Sequence, residues 1–300
     1  MGIGEDWETS ESRSQLKQRC KCAGFKYLCI LYSASCTLYP ASSASRTLEL
    51  ATMVSVQNLS KAVSKEKILT NLTFHLEAGD RLGVLGTNGS GKSLLLKILA
   101  TLVKPSSGKV TIAEHDAFTN LDTVRPLIGY VPANFEGYPH LSVWEYLDFF
   151  AAAYKLERGG RSQAIQDVLD LMDITVLRDR KIQYLSSGEK QRLCLAKTFL
   201  HDPLIWLLDE PLSALDARGQ IEMHALIQEL GTMGKTVVLA TNRLADVMPT
   251  CNCVGILIDG HFAFYGSLEN IDTTIDDLFW NVTNPETTAE ESNKKNSEDL

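Results

Sequence analysis

Between residues 81 and 102 the chain reads RLGVLGTNGSGKSLLLKILATL, and this stretch limits the possible folds more than any other. A short apolar run at 82–85 enters a glycine-rich turn, and the turn opens into an apolar segment of helical character. Residues 86–93, GTNGSGKS, satisfy G-x-x-x-x-G-K-[ST] at every fixed position. Glycines let the backbone bend until several N–H groups face one set of phosphate oxygens. The N-terminus of the following helix brings its positive dipole end to the same place. Lys92 is placed to reach the β- and γ-phosphates, and the Ser93 hydroxyl to ligate Mg²⁺. The stretch therefore predicts a nucleoside triphosphate site formed by Gly86, Thr87, Asn88, Gly89, Ser90, Gly91, Lys92 and Ser93. A chance glycine-rich loop, the competing reading, does not account for the strand and helix that flank it.

The 300 residues allow one large domain or two modest ones. A net charge of −8 argues against broad contact with a nucleic-acid backbone, which needs concentrated Lys and Arg. The nearest thing to a membrane span is 25–39, FKYLCILYSASCTLY. It contains Lys26, is diluted with Ser, Thr and Cys, and falls short of the roughly 18 apolar residues a span needs. It resembles a weak signal h-region more than a span. Cys20, Cys22, Cys29 and Cys36 crowd the N-terminal segment without a zinc-site spacing, and Cys251 and Cys253 are equally uninformative. Free thiols in a reducing compartment are the expectation.

Taken in order, residues 1–52 lack a clear period and are expected to be poorly ordered. Met53 opens a strand with apolar residues at Met53, Val54, Val56 and Leu59. The abrupt onset suggests Met53 as the true start, which the intact mass of the native protein tests. A strand is expected at 72–77, others at 109–113 and 128–131. Ser142 with Glu145 reads as a capping box opening a helix. Gly159 and Gly160 are expected to break that helix, with a second one over 162–172. A buried strand at 204–209 and a long helix at 216–230 follow. Another buried strand at 235–241 leads to a hairpin at 254–265. Beyond residue 281 the polar, acidic sequence reads as a disordered tail, with an idle sequon at Asn281. Alternating strands and helices imply an α/β fold on a parallel sheet, with a helical lobe inserted between 134 and 200.

Two further motifs carry chemistry. The apolar run 204–208 closes on Asp209 and Glu210, as a buried parallel strand does at an active site. Asp209 is placed to hold Mg²⁺, and Glu210 to take a proton from attacking water. About twenty residues upstream, residues 185–192 read LSSGEKQR and open a helix. Ser186 and the N–H groups of Ser187, Gly188 and Glu189 then form a second anion-binding end. Two such ends either face one nucleotide or serve different ones.

With GTNGSGKS, LSSGEKQR, LIWLLDEP and SALD at 213–216, in that order, residues 53–270 resemble the nucleotide-binding domain of ATP-binding cassette (ABC) transporters of the exporter or ABC-2 type. The resemblance implies a P-loop NTPase fold: a parallel-sheet core, an antiparallel β subdomain and an inserted helical subdomain. It implies two cassettes paired head to tail, each ATP lying between the P-loop of one and the signature of the other. Lys92, Ser93 and Asp209 would then bind ATP and Mg²⁺, and Glu210 would be the general base. Ser186, Ser187, Gly188 and Glu189 would meet the γ-phosphate across the dimer, and Asp216 would couple the two sites. The aromatic stretch 135–146 would face a separate integral membrane subunit, placing the chain on the cytoplasmic face of a membrane.

Four positions depart from that family's pattern. Ala133 stands where Gln is usual, Asn242 where the switch histidine is usual, Ser187 where the signature has its first Gly. Val63 stands where an adenine-stacking aromatic is usual, with Phe74 or a tyrosine elsewhere as candidate substitutes. Asn242 can donate a hydrogen bond to a γ-phosphate but cannot carry a proton. These changes leave open a weakly or non-hydrolysing regulatory subunit. A soluble ABC ATPase outside transport is a third reading, but the tandem cassettes or long coiled coils usual there are not in the sequence.

Overall fold

The computed structural model describes residues 52–64, 66–135 and 137–270. The expectations for the N-terminal extension, its cysteines and the acidic tail lie outside these residues. Along the chain run β1 (Thr52–Val63), β2 (Glu66–Glu77), β3 (Arg81–Leu85), α1 (Lys92–Leu99), β4 (Ser107–Ile112), β5 (His115–Asp116), α2 (Leu121–Val124) and β6 (Ile128–Val131). They are followed by α3 (Val143–Ala153), α4 (Arg158–Leu171), α5 (Ser187–Phe199), β7 (Ile205–Asp209), α6 (Ala217–Thr232), β8 (Thr236–Thr241), α7 (Leu244–Val247), β9 (Cys253–Ile258) and β10 (His261–Ser267).

The larger sheet has the order β10-β9-β3-β8-β7-β6. Its ladders from β9 through β6 are parallel, and β10 closes the edge antiparallel to β9 as the predicted hairpin. The smaller sheet, β2-β1-β4-β5, is antiparallel throughout. This is the expected architecture of parallel core, antiparallel sheet and inserted helices.

Side-chain alternation explains why the parallel strands read as unbroken apolar runs. Successive residues of a strand point to opposite faces. In β7, Ile205 and Leu207 enter a core shared with the antiparallel sheet and α1, while Trp206 and Leu208 enter a core shared with α3 to α6. In β8, Val238 and Ala240 face the first core, Val237 and Leu239 the second. A strand covered on both faces has no polar side to show. Trp206 is fully buried and meets Phe199 with ring centroids 4.7 Å apart.

Three local expectations are corrected. β2 begins at Glu66, not at 72, because Asn71 at φ 51° and register shifts in its partner β1 interrupt the alternation on which the sequence reading relied. Gly159 and Gly160 do not break a helix. The turn comes earlier, at Lys155 with φ 61°, and both glycines sit in the first turn of α4. Glycine weakens a helix chiefly in its interior, and Gly160 N still donates to Glu157 O at 3.1 Å, so both are tolerated at this end. Within 135–146 the ring of Tyr146 is buried against Phe135 and Phe150 rather than presented outward. The capping box at the start of α3 is present: Glu145 N donates to Ser142 Oγ at 3.2 Å, and Ser142 N to Glu145 Oε2 at 2.8 Å.

The carboxyl ends of β3, β8 and β7 lie side by side. Leu85 is in register with Thr241, and Ala240 with Asp209. Open parallel sheets place ligands in the crevice at this end. The three loops that leave it carry residues 86–91, 242–243 and 210–216.

Candidate nucleotide site

The glycine-rich loop is shaped by what it must avoid. Gly91, the residue before α1, has φ 105°, and a Cβ there would sit 2.6 Å from Leu69 Cδ2 and 3.3 Å from Ile68 O. β2 therefore lies directly across the loop, and only glycine fits under it. Lys92 Nζ donates to Gly86 O and Thr87 O, both at 2.9 Å, which draws the loop around the ammonium group. Burial pushes the Lys92 pKa down, and the charges of Glu210 and Asp209 oppose that shift. Ser90 Oγ is buried and has no hydrogen-bond partner among the described residues. A buried donor inside a ring of backbone amides is what a phosphate oxygen would satisfy.

The carboxylates sit where the sequence puts them. Ser93 Oγ donates to Asp209 Oδ1 at 3.0 Å, joining the first turn of α1 to the end of β7. Tyr130 OH approaches Asp209 Oδ2 at 3.5 Å, a long contact from the neighbouring strand β6. Burial raises the Asp209 pKa; Ser93, Lys97, Lys92 and Tyr130 pull it back down. This cluster of hard oxygens suits Mg²⁺. Glu210 leaves the strand in a left-handed conformation, φ 48°, and its N–H donates to Ala240 O at 2.9 Å. Burial raises the Glu210 pKa, Lys92 lowers it, Asp209 and Asp246 raise it, and the Asn242 backbone N–H hydrogen-bonds its carboxylate and lowers it.

Asn242 Nδ2 donates to Asn88 Oδ1 at 3.3 Å, so the end of β8 touches the glycine-rich loop through two amides. The turn is braced from behind. Thr241 Oγ1 donates to the buried Asp246 Oδ2 at 2.7 Å, and Arg243 N donates to Thr241 Oγ1 at 3.1 Å. Sequence reading missed Tyr130 and Asp246. An aromatic hydroxyl on an otherwise apolar strand, and a lone carboxylate four residues past Asn242, were the available signals.

A second group forms at the starts of α5 and α6. Ser186 and Glu189 make a full capping box: Glu189 N donates to Ser186 Oγ at 3.3 Å, and Ser186 N to Glu189 Oε2 at 2.7 Å. The Glu189 amide is thus already used, which corrects the expectation of three open amides and leaves those of Ser187 and Gly188. A Cβ on Gly188 would stand 3.3 Å from Ala214 O, so this helix end abuts the 213–216 turn of the same chain. Asp216 caps α6, its Oδ1 accepting from Gly219 N at 2.9 Å. Ser213 Oγ donates to Glu210 O at 2.8 Å, tying that turn back to the first group. Ala133 is half-buried with no polar side-chain atom to offer. Phe74 cannot stack on a base: it is 2% exposed, with Phe262 at 5.6 Å and Tyr265 at 6.0 Å.

A glycine-rich loop at the end of one parallel strand and a carboxylate pair at the end of another define a P-loop nucleoside triphosphatase. Comparison with known proteins narrows this. The ABC transporter family profile matches residues 69–213. An uncharacterized ABC transporter ATP-binding protein of Bacillus subtilis is 33% identical over 220 residues, covering 73% of this chain and 70% of that protein. A glucose import ATP-binding protein of Saccharolobus solfataricus is 31% identical over 223 residues, covering 72% and 63%. Among solved structures, the ATP-binding subunit of an ABC transporter superposes with a TM-score of 0.70 at 26% identity, over 77% of this chain and all of that one. A dimeric ATP-binding cassette in a post-hydrolysis state, bound to ADP and Pi, gives 0.67 at 26% identity, over 73% of this chain. The chain belongs to the ATP-binding proteins of ABC transporters, which bind and hydrolyse ATP.

Proposed function

We propose that this chain is one of two cassettes whose ATP-driven closure moves a separate integral membrane subunit. The Ser93–Asp209 hydrogen bond carries the reading, because it brings residues 116 apart in sequence into one ion-binding pair at the mouth of the loop. Residues 53–270 form the ATP-binding domain, with 134–200 as its helical part. Residues 86–91 wrap the phosphates with backbone N–H groups, and Lys92 leaves its loop carbonyls for phosphate oxygens. Ser93 and Asp209 hold Mg²⁺, which when bound neutralises phosphate charge. Glu210 accepts a proton from the attacking water, and Asn242 donates to the γ-phosphate. The Ser187 and Gly188 amides of the partner cassette close over the same phosphate, with Asp216 in the turn between the two sites.

No helix among the described residues is long and apolar enough to cross a membrane, which fits work done on a separate membrane subunit. The docking surface for that subunit is aromatic. Tyr138 and Phe149 are each about half exposed and stack edge to face at 5.6 Å, and Trp144, on α3 with Phe149, lies under Arg178. With that surface against the membrane subunit, the chain would work from the cytoplasmic face of the membrane. The test is steady-state hydrolysis by the purified chain beside Glu210→Gln. The variant should bind ATP and lose turnover by about 10²-fold or more, the scale of a general base. Undiminished turnover in the variant would remove Glu210 from the mechanism.

A further inference from the structure

We propose that Tyr184 supplies a stacking platform for the nucleobase in the partner cassette's site, replacing the ring that position 63 lacks. This rests on the paired-cassette reading above. The first observation is a gap on the loop's own side. The β1–β2 hairpin passes over the glycine-rich loop at Ile68 and Leu69, and its tip pairs Val63 with Glu66. Val63 is 47% exposed but offers no ring face. The rings of β2 and β10 are already engaged: Phe74, Phe262 and Tyr265 pack on one another, and the Tyr265 hydroxyl donates to His75 O.

The second observation is an uncommitted ring at the other half of the site. Tyr184 is 61% exposed, and among the described residues its side chain has no hydrogen-bonding or aromatic partner. Its backbone is fixed nonetheless. It ends a short 3₁₀ turn, Ile182–Tyr184, in which Ile182 N donates to Leu141 O, Gln183 N to Pro139 O and Tyr184 N to Lys181 O. Leu185, extended at φ −81° and ψ 141°, joins this turn to Ser186 at the start of α5. Two extended residues span about 6.6 Å. The ring is therefore one short step from the amides assigned to the γ-phosphate, on a nucleotide whose base projects away from its phosphate chain. An exposed ring on a pinned backbone loses little freedom on binding, which makes it an effective platform. Stacking needs only a π-face and tolerates any base.

Equilibrium binding to the full-length chain, in a Glu210→Gln background to prevent turnover, tests this with two probes. ATP carries a base; inorganic tripolyphosphate does not. Tyr184→Ala should weaken ATP binding by about tenfold, within the range for one stacked base, and leave tripolyphosphate binding unchanged. Tyr184→Phe should keep the ATP affinity, and Val63→Tyr should restore it in the Tyr184→Ala chain. Unchanged ATP affinity in Tyr184→Ala overturns the inference, as does equal weakening for both probes, which would make Tyr184 a protein–protein contact. Size-exclusion chromatography separates the two levels of the argument. If Glu210→Gln binds ATP but stays monomeric, the paired-cassette reading fails and the inference with it. If it dimerises and Tyr184→Ala changes nothing, the inference alone fails.

Discussion

Ser93→Ala offers a test of the site that needs no nucleotide. The substitution removes the hydroxyl that donates to Asp209 Oδ1 at 3.0 Å and leaves the rest of α1 intact. A hydrogen bond to an ionised group contributes about 1.5–3 kcal/mol. Ser93 is exposed at the loop's mouth, so the lower end, about 1.5 kcal/mol, applies. For a domain of this size that lowers Tm by about 3–6 °C. The loss must depend on pH. Burial already raises the Asp209 pKa above its ordinary 3.8, and the Ser93 bond works against that rise. Ionised Asp209 therefore opposes folding, an opposition absent well below 3.8 that grows as pH rises through the elevated value. Without Ser93 the pKa rises further, so the penalty is full near neutrality and fades as the carboxylate protonates in acid. Thermal melts of the purified chain at about pH 8 and about pH 4.5, without Mg²⁺ or nucleotide, read this directly. Ser93→Thr keeps the hydroxyl and should melt like the parent. A Tm loss equal at both pH values, or none at either, would refute the Ser93–Asp209 bond as the source.

Three further outcomes are expected. Glu210 must be ionised to accept a proton, and burial raises its pKa; hydrolysis should fall with decreasing pH through a midpoint above 4.5, and a lower midpoint in a pH–rate profile would contradict that role. Asn242→His introduces a group titrating near about 6.5 beside the γ-phosphate, so the variant should gain a limb in that region that the parent lacks; superimposable profiles would remove residue 242 from the reacting centre. Gly91→Ala adds a Cβ 2.6 Å from Leu69 Cδ2 at φ 105°, whereas Gly89→Ala, at φ 86°, meets nothing within 4 Å. Both incur backbone strain of about 1–3 kcal/mol, but only the first adds a clash, so it should melt at the lower temperature; equal losses in denaturation would refute the packing of β2 on the loop.

The parts legible in the sequence were those fixed by local chemistry. GTNGSGKS needs its own backbone and a following helix, and Asp209 with Glu210 needs only a strand end. The capping box of Ser142 with Glu145 is complete within four residues. What stayed hidden depends on neighbours distant in sequence. Nothing local says that Asn242 will find Asn88, 154 residues away, or that Tyr130 will reach Asp209 from an adjacent strand. Tyr146 lies in an exposed-looking aromatic stretch, yet its position on α3 turns it into the core. At 186–189 the same S-x-x-E pattern went unread as a cap, and a cap that completes the helix also occupies one of its amides.

The contact between Gly188 and Ala214 reaches beyond local packing. In the proposed pair, Glu210 would serve the nucleotide this cassette holds, while Gly188 would serve the nucleotide its neighbour holds. Between them stand two hydrogen bonds, from Ser213 Oγ and Ser213 N to Glu210 O, and a backbone carbonyl with no room to spare. Close-packed interiors transmit displacement rather than absorb it. On that reading, a displacement of the Glu210 carboxylate would be felt at the start of α5, the surface proposed to meet the other site. In a head-to-tail pair the same link occurs twice, closing a loop of contacts through both nucleotides. Neither molecule of ATP would then be cleaved in isolation: each cleavage event alters the grip on the ATP that remains.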